Sequence, residues 1–481
     1  MDEQQNMPQR PTNPRRRPRS KMRVFKETYL PVIILGAALV LILVLIFGAI
    51  FGSSDDSDTS AETKPKESEP IDQEQLLQQE AADIMYRAEA YADILDYDNA
   101  IRTLQSFTGD LSDPQFADMA ALYDQLVLER SQMVPWNDPG EVMHLCVQLL
   151  IADPDRAFND DSFSDSFRKN FLTTDEFTKI LPQLYENGYI LVSMEDILSP
   201  ASSDGYGTVY EAKTLYLPQG KKPLLLTQTN VNYPNYLIDS DYDNIPDAGG
   251  SGFASKLVYD ESGNIACEYV DADGQTQVGA YDMIPILDQF VSEHPDFSYR
   301  GAKATIALTG YEGLFGYRTD PALETSMGTA AYEQQLDTIR QIADDLKASG
   351  YNLACFCYND KAYSNLTLDE VHTDLNAWTE EIVPILGGLD TFVFAREGDI
   401  AQPNVAYMGD KFQALSQNGF KIFVGYCESD GAPWCMIGDG YVRLGRVMLT
   451  PANLVNHSDW FEGVVDGTLV LDPARGNISG E

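Results

Sequence analysis

From residue 141 onward the chain alternates short apolar runs with amphipathic stretches, and that alternation constrains the fold more than any other feature. Strand-like runs stand at 142–152, 189–193, 224–227, 304–309, 353–358, 391–394 and 422–426. Helical spacing fills the gaps at 174–187, 283–294, 331–349, 368–386 and 411–418. Thr173 or Thr174 caps the first of these helices, with Glu176 in its first turn. Gly188, Gly350 and Gly419 stop three of them. Strands alternating with helices pair in parallel, as a sheet or barrel covered by the helices.

The run Leu224-Leu225-Leu226 opens after Pro223 and stops at Thr227-Gln228-Thr229-Asn230. An apolar run that ends in polar residues reads as a buried parallel strand whose carboxyl end opens onto a site. Chemistry in α/β folds sits at that end. This tip carries no carboxylate. A Gly/Asp-rich insertion with hairpin patterning occupies about 238–280.

Upstream, residues 1–27 hold eight Lys/Arg against three acids, a net of +5, which leaves −46 of the total −41 for the rest. So acidic a body repels nucleic acid. Residues 28–54 carry no charge, and 32–51 are almost wholly apolar. About 20 apolar residues span a bilayer. The reading is a single-pass anchor at 28–52 with 1–27 as a cytoplasmic tail and the bulk outside the cell. Residues 53–70 form an acidic linker. Residues 71–134 show helical spacing, with a turn at 96–98, and look like part of a tetratricopeptide-type hairpin. The repeats are too few for a solenoid, which needs about three, so the region reads as a helical stalk. Residues 135–140 break the pattern and mark a boundary.

Residues 171–197 (FLTTDEFTKILPQLYENGYILVSMEDI), 294–319 (HPDFSYRGAKATIALTGYEGLFGYRT) and 441–451 (YVRLGRVMLTP) carry a resemblance. They are similar to polysaccharide deacetylases (NodB homology, carbohydrate esterase family 4), and among these to a membrane-attached clostridial subgroup. The resemblance covers about 141–475 and implies a distorted (β/α) barrel of about seven strands. It also implies metal-dependent hydrolysis of acetyl groups on chitin, peptidoglycan or xylan. The family's first motif, T-F-D-D-G, supplies a general base and a metal ligand. Its second, H-[ST]-x-x-H, supplies two imidazoles that help hold a Lewis acid. Here Thr229 and Asn230 stand at the two Asp positions, and Phe356 and Asp360 at the two His positions. A further His, common on the family's first strand, falls on Gln148. None of the four His in the chain occupies a ligand position. The resemblance therefore implies a degenerate deacetylase-like domain that binds cell-wall or exogenous polysaccharide. The alternative is an active metal-dependent deacetylase with a non-standard site.

Tyr233, Tyr236, Tyr311, Tyr317 and Trp434 fall in loops near strand ends, where cleft and core roles both remain open. Arg396 and Glu397 follow a strand, as new site charges or as a surface ion pair. Asp239, Asp241, Asp243 and Asp247 alternate as in the calcium loops of thrombospondin type-3 and dockerin-like repeats. Position twelve is Gly250 rather than Glu, so a calcium loop and a solvated acidic turn both stand. Six Cys read mainly as buried thiols, with Cys427–Cys435 the one pair open to a disulfide test. No phosphate-binding loop, dinucleotide fingerprint or serine-hydrolase elbow is present.

Overall fold

The computed structural model describes residues 73–201, 209–241, 243, 245–476 and 478. The expected anchor, basic tail and linker lie outside the described residues. Among those described, no helix is long and apolar enough to cross a membrane.

Three helices come first: α1 (Gln73–Asp93), α2 (Tyr97–Gln105) and α3 (Ala117–Gln132). Asp96 caps α2 through Asn99. Ala88, Ala100, Leu104, Met119 and Leu126 bury their side chains among these helices and the adjoining core. Arg300 fastens this stalk to the loops that precede the barrel strands. Its backbone N–H donates to Ile94 O at 2.8 Å, and its side chain pairs with Asp96 and Asp98. The break at residues 135–140 is bridged by a ribbon in which Val134–Trp136 pairs with Leu215–Leu217.

The alternating segments close into a parallel barrel. Its elements are β1 (Met143–Val147), α4 (Thr174–Glu186), β2 (Tyr189–Leu191), β3 (Lys222–Thr229), α5 (Met283–Glu293), β4 (Thr305–Leu308), α6 (Thr329–Ala348), β5 (Asn352–Cys355), α7 (Leu368–Ala377), β6 (Thr391–Val393), α8 (Asp410–Gln417), β7 (Ile422–Tyr426) and β8 (Val442–Met448). Seven strands, β1, β3, β4, β5, β6, β7 and β8, form the ring, and β8 returns to pair with β1. β2 lies outside it, on the first half of β3, where Leu191 faces Leu224. The expected barrel class is therefore present.

Several boundaries differ from the expected ones, and one strand of the ring, β8, was not expected. The expected helix at 368–386 keeps its Thr367–Glu370 capping box but widens into a π turn at Trp378–Ile382. The insertion is three-stranded rather than a simple hairpin: Thr276–Gly279 adds to Lys256–Tyr259 and Ile265–Val270. β8 escapes the apolar pattern because Arg443 and Arg446 interrupt it. Both arginines are fully buried, which is rare for this residue type. Val442, Leu444 and Val447 supply apolar side chains to β8, and nearly the whole strand is buried.

Candidate functional site

Side chains on a strand alternate faces, so Gln148, Cys146 and His144 share the inner face along β1 and its exit. Thr229 and Thr227 do the same on β3, and Met448 and Arg446 on β8. The uppermost member of each series lines a chamber of about 410 Å³ at the carboxyl end of the barrel, together with Asn230, Phe356 and Tyr236. A second chamber of about 320 Å³ adjoins it. Asn230, Tyr236, Asp360 and Arg396 line both. All four positions aligned with the family's catalytic motifs thus meet at one mouth.

The mouth loops hold unusual backbone. Asn230, Asp360, Arg396 and Glu397 have φ of 64°, 48°, 50° and 53°. Non-glycine residues in this region carry strain that the surroundings must over-determine. The turn before Asp360 shows how. Buried Asp374 on α7 accepts from the backbone N–H groups of Tyr358 and Asn359, at 2.8 and 2.9 Å, and from Tyr363 Oη at 2.9 Å.

Asp360 is the only one of these motif positions with a carboxylate, and it is engaged. Arg396 Nε donates to its carbonyl at 2.7 Å, and Arg396 Nη2 donates to its carboxylate at 2.7 Å. Burial pushes the Asp360 carboxyl above its ordinary range, and the Arg396 charge offsets part of that. One layer below, Arg446 is fully buried. It donates to the carbonyls of Val424, Gly425 and Phe394, and no carboxylate pairs with it among the described residues. Its guanidinium carbon lies 6.0 Å from the Phe356 ring.

This donor set does not fit a divalent metal. Phe356 offers no lone pair, Thr229 and Asn230 are neutral, and Asp360 already neutralises Arg396. Zinc and its relatives take imidazole, thiolate or carboxylate ligands. The unneutralised Arg446 beneath adds like-charge repulsion in a poorly screened interior.

Among the expected cleft aromatics, Tyr236 and Tyr311 are 43% and 49% exposed and line the chambers. The others do not. Tyr233 is fully buried and donates to Asp282 Oδ2 at 2.7 Å, so it belongs to the core. Trp434 is buried against Gly445, with its indole N–H on Tyr426 O at 2.9 Å. Tyr317 turns to Leu257 O at 2.9 Å. Glu397 is exposed but lines neither chamber. The ion pair expected at this turn joins Arg396 to Asp360, across 36 positions. All six cysteines are free thiols, Cys427 and Cys435 among them.

The acidic loop brings one oxygen each from Asp239, Asp241 and Asp247 within 4.8 Å of one another. Asp243 stands outside this group and accepts from the Ile245 N–H at 2.8 Å. The negative charge of Asp243 raises the Asp241 carboxyl above its ordinary value. A cation bound here would relieve that repulsion. Millimolar calcium is therefore expected to raise the melting temperature, since a ligand that binds only the folded state stabilises it. An unchanged melting curve, with Asp241→Asn indistinguishable from wild type in calcium, would leave the solvated turn.

No protein-family model matches the sequence, and no curated protein matches it. Among solved structures, the Streptococcus pyogenes deacetylase PplD in complex with acetate aligns over 66% of this chain and 94% of its own, at 14% identity and a TM-score of 0.29. A likeness at that level assigns neither family nor activity to this chain.

Proposed function

We propose that this chain is a polysaccharide-deacetylase-like protein without the hydrolytic site, which binds glycan at the barrel mouth. Residues 28–52 tether it to the membrane with the barrel outside the cell. The observation that carries this reading is the Asp360–Arg396 pair standing beside Phe356, Thr229 and Asn230. Such an ion pair is worth little to stability where Arg396 is exposed. Its consequence is chemical: no base and no ligand set remain at the mouth. Loss of both removes more than the roughly 10²–10⁴-fold of a single acid–base group.

The full chain purified in detergent should carry no stoichiometric Zn, Co, Ni or Mn. It should release no acetate from acetylated chitooligosaccharide, peptidoglycan or xylan. Chelator-sensitive acetate release would restore the alternative, an active deacetylase with a non-standard site. A variant combining Thr229→Asp, Asn230→Asp, Phe356→His and Asp360→His should gain metal binding, and gain more when Arg396→Ala is added, because Asp360→His leaves Arg396 as an unpaired cation.

The tether has its own test. Protease added to intact protoplasts should digest the barrel, and a protected barrel would place it on the wrong side of the membrane.

A further inference from the structure

The second chamber is built differently from the first. Thr309 and Asn232, 1% and 3% exposed, form its inner wall, and the exposed rings of Tyr236 and Tyr311 stand at its rim. Two polar atoms in that wall, Thr309 Oγ1 and Asn232 Oδ1, are buried without a partner. The Asn232 amide nitrogen donates to Tyr311 O at 2.7 Å, so its oxygen remains an acceptor with nothing to accept. An unpaired buried polar group is costly, and native proteins leave few of them. A ligand hydroxyl that reached either atom would satisfy it.

The rim supplies charge. Lys361 lines the chamber, and its ammonium makes no ion pair or hydrogen bond among the described residues. Arg396 gives Nε and Nη2 to Asp360, and its Nη1 has no partner among the described residues. Lys361, Arg396 and the Asp360 carboxylate line the chamber, with Glu312 beside the rim tyrosines and Glu370 near Lys361, on a chain whose net charge is −41. A volume of about 320 Å³ suits a small ligand rather than a chain segment.

We infer that this chamber binds a sugar residue that carries a carboxylate. The carboxylate sits between Lys361 and Arg396, the ring lies against Tyr236 or Tyr311, and ring hydroxyls meet Asn232 Oδ1 and Thr309 Oγ1. This rests on the glycan reading of the mouth and adds the class of sugar. It is a side chamber, distinct from the space over Thr229 and Phe356.

The probe is trigalacturonate, compared by calorimetry with its methyl ester, which keeps the rings and removes the charge. With the full chain, the acid should bind at least about tenfold more tightly than the ester, as expected when charge-assisted hydrogen bonds are lost. Lys361→Ala and Lys361→Glu should abolish that preference, with an unchanged melting temperature showing that the fold is intact. Thr309→Val should weaken both forms. Equal affinity for acid and ester, or a preference that survives Lys361→Glu, would overturn the inference. If neither form binds but acetylated chitooligosaccharide does, the carboxylate inference fails and the glycan reading stands. If no glycan binds, both fail.

Discussion

Replacing Glu176 by alanine is expected to destabilise the fold by about 3–5 kcal/mol, the loss seen when one partner of a buried ion pair is removed. Glu176 and Arg475 are 0% and 2% exposed and pair through both carboxylate oxygens. Glu176 also accepts from the backbone N–H groups of Thr173 and Asp472, each at 2.8 Å. It thus closes the capping box of α4 and pins the C-terminal segment to that helix at once. In the alanine variant Arg475 keeps only carbonyl partners, from Phe167, Arg168 and Phe171, and stays charged and buried. Chemical denaturation measures the loss, and hydrogen exchange should show it first at residues 471–476. A double variant, Glu176→Leu with Arg475→Met, should recover much of the stability, because no charge is left uncompensated. A single-variant loss below about 1 kcal/mol would show that the pair contributes little beyond a cap.

Acidification should weaken the protein through His144, and the sign follows from its setting. His144 is 1% exposed in the barrel interior, with Nε2 2.8 Å from Thr227 Oγ1. Burial first, and then the Arg446 charge, push the imidazole down from 6.5 to about 3. Above about pH 6.5 the ring is neutral in both folded and unfolded chains, and the effect vanishes. Between about 6.5 and 3 the unfolded chain takes up a proton that the folded chain refuses. Stability is therefore present above the unfolded value and lost as pH falls, by up to about 1.4 kcal/mol per pH unit and on the order of 5 kcal/mol in all. His144→Gln keeps a hydrogen-bonding group toward Thr227 and removes the titration. Its stability against pH should be flatter than wild type across that window, with the two curves parallel above pH 7. Buried Asp282 works the other way, since burial raises its carboxyl, so its stabilisation is lost as pH rises. It is common to both proteins and cancels in the difference. Identical slopes between pH 6.5 and 4 would mean that His144 gains its proton without unfolding.

The period of the apolar pattern and the residue types at the motif positions are properties of the sequence by itself. Alternating strand and helix periods are local, and they require a parallel α/β fold. The neutral Thr229 and Asn230 and the apolar Phe356 are plain from residue identity alone, and they meet at one mouth. What tertiary structure decided was who stands beside whom. Arg396 reaches Asp360 across 36 positions, so an apparently free ligand is already engaged. β8 closes the ring although it holds two arginines, because neighbouring backbone carbonyls take their hydrogen bonds, and for Arg443 the Asp399 carboxylate as well. Tyr233 and Trp434 left the expected cleft because each found a buried acceptor, Asp282 in one case and the Tyr426 carbonyl in the other. A polar or charged side chain is buried only when a partner meets it there, and such partners come from segments that sequence spacing does not bring together.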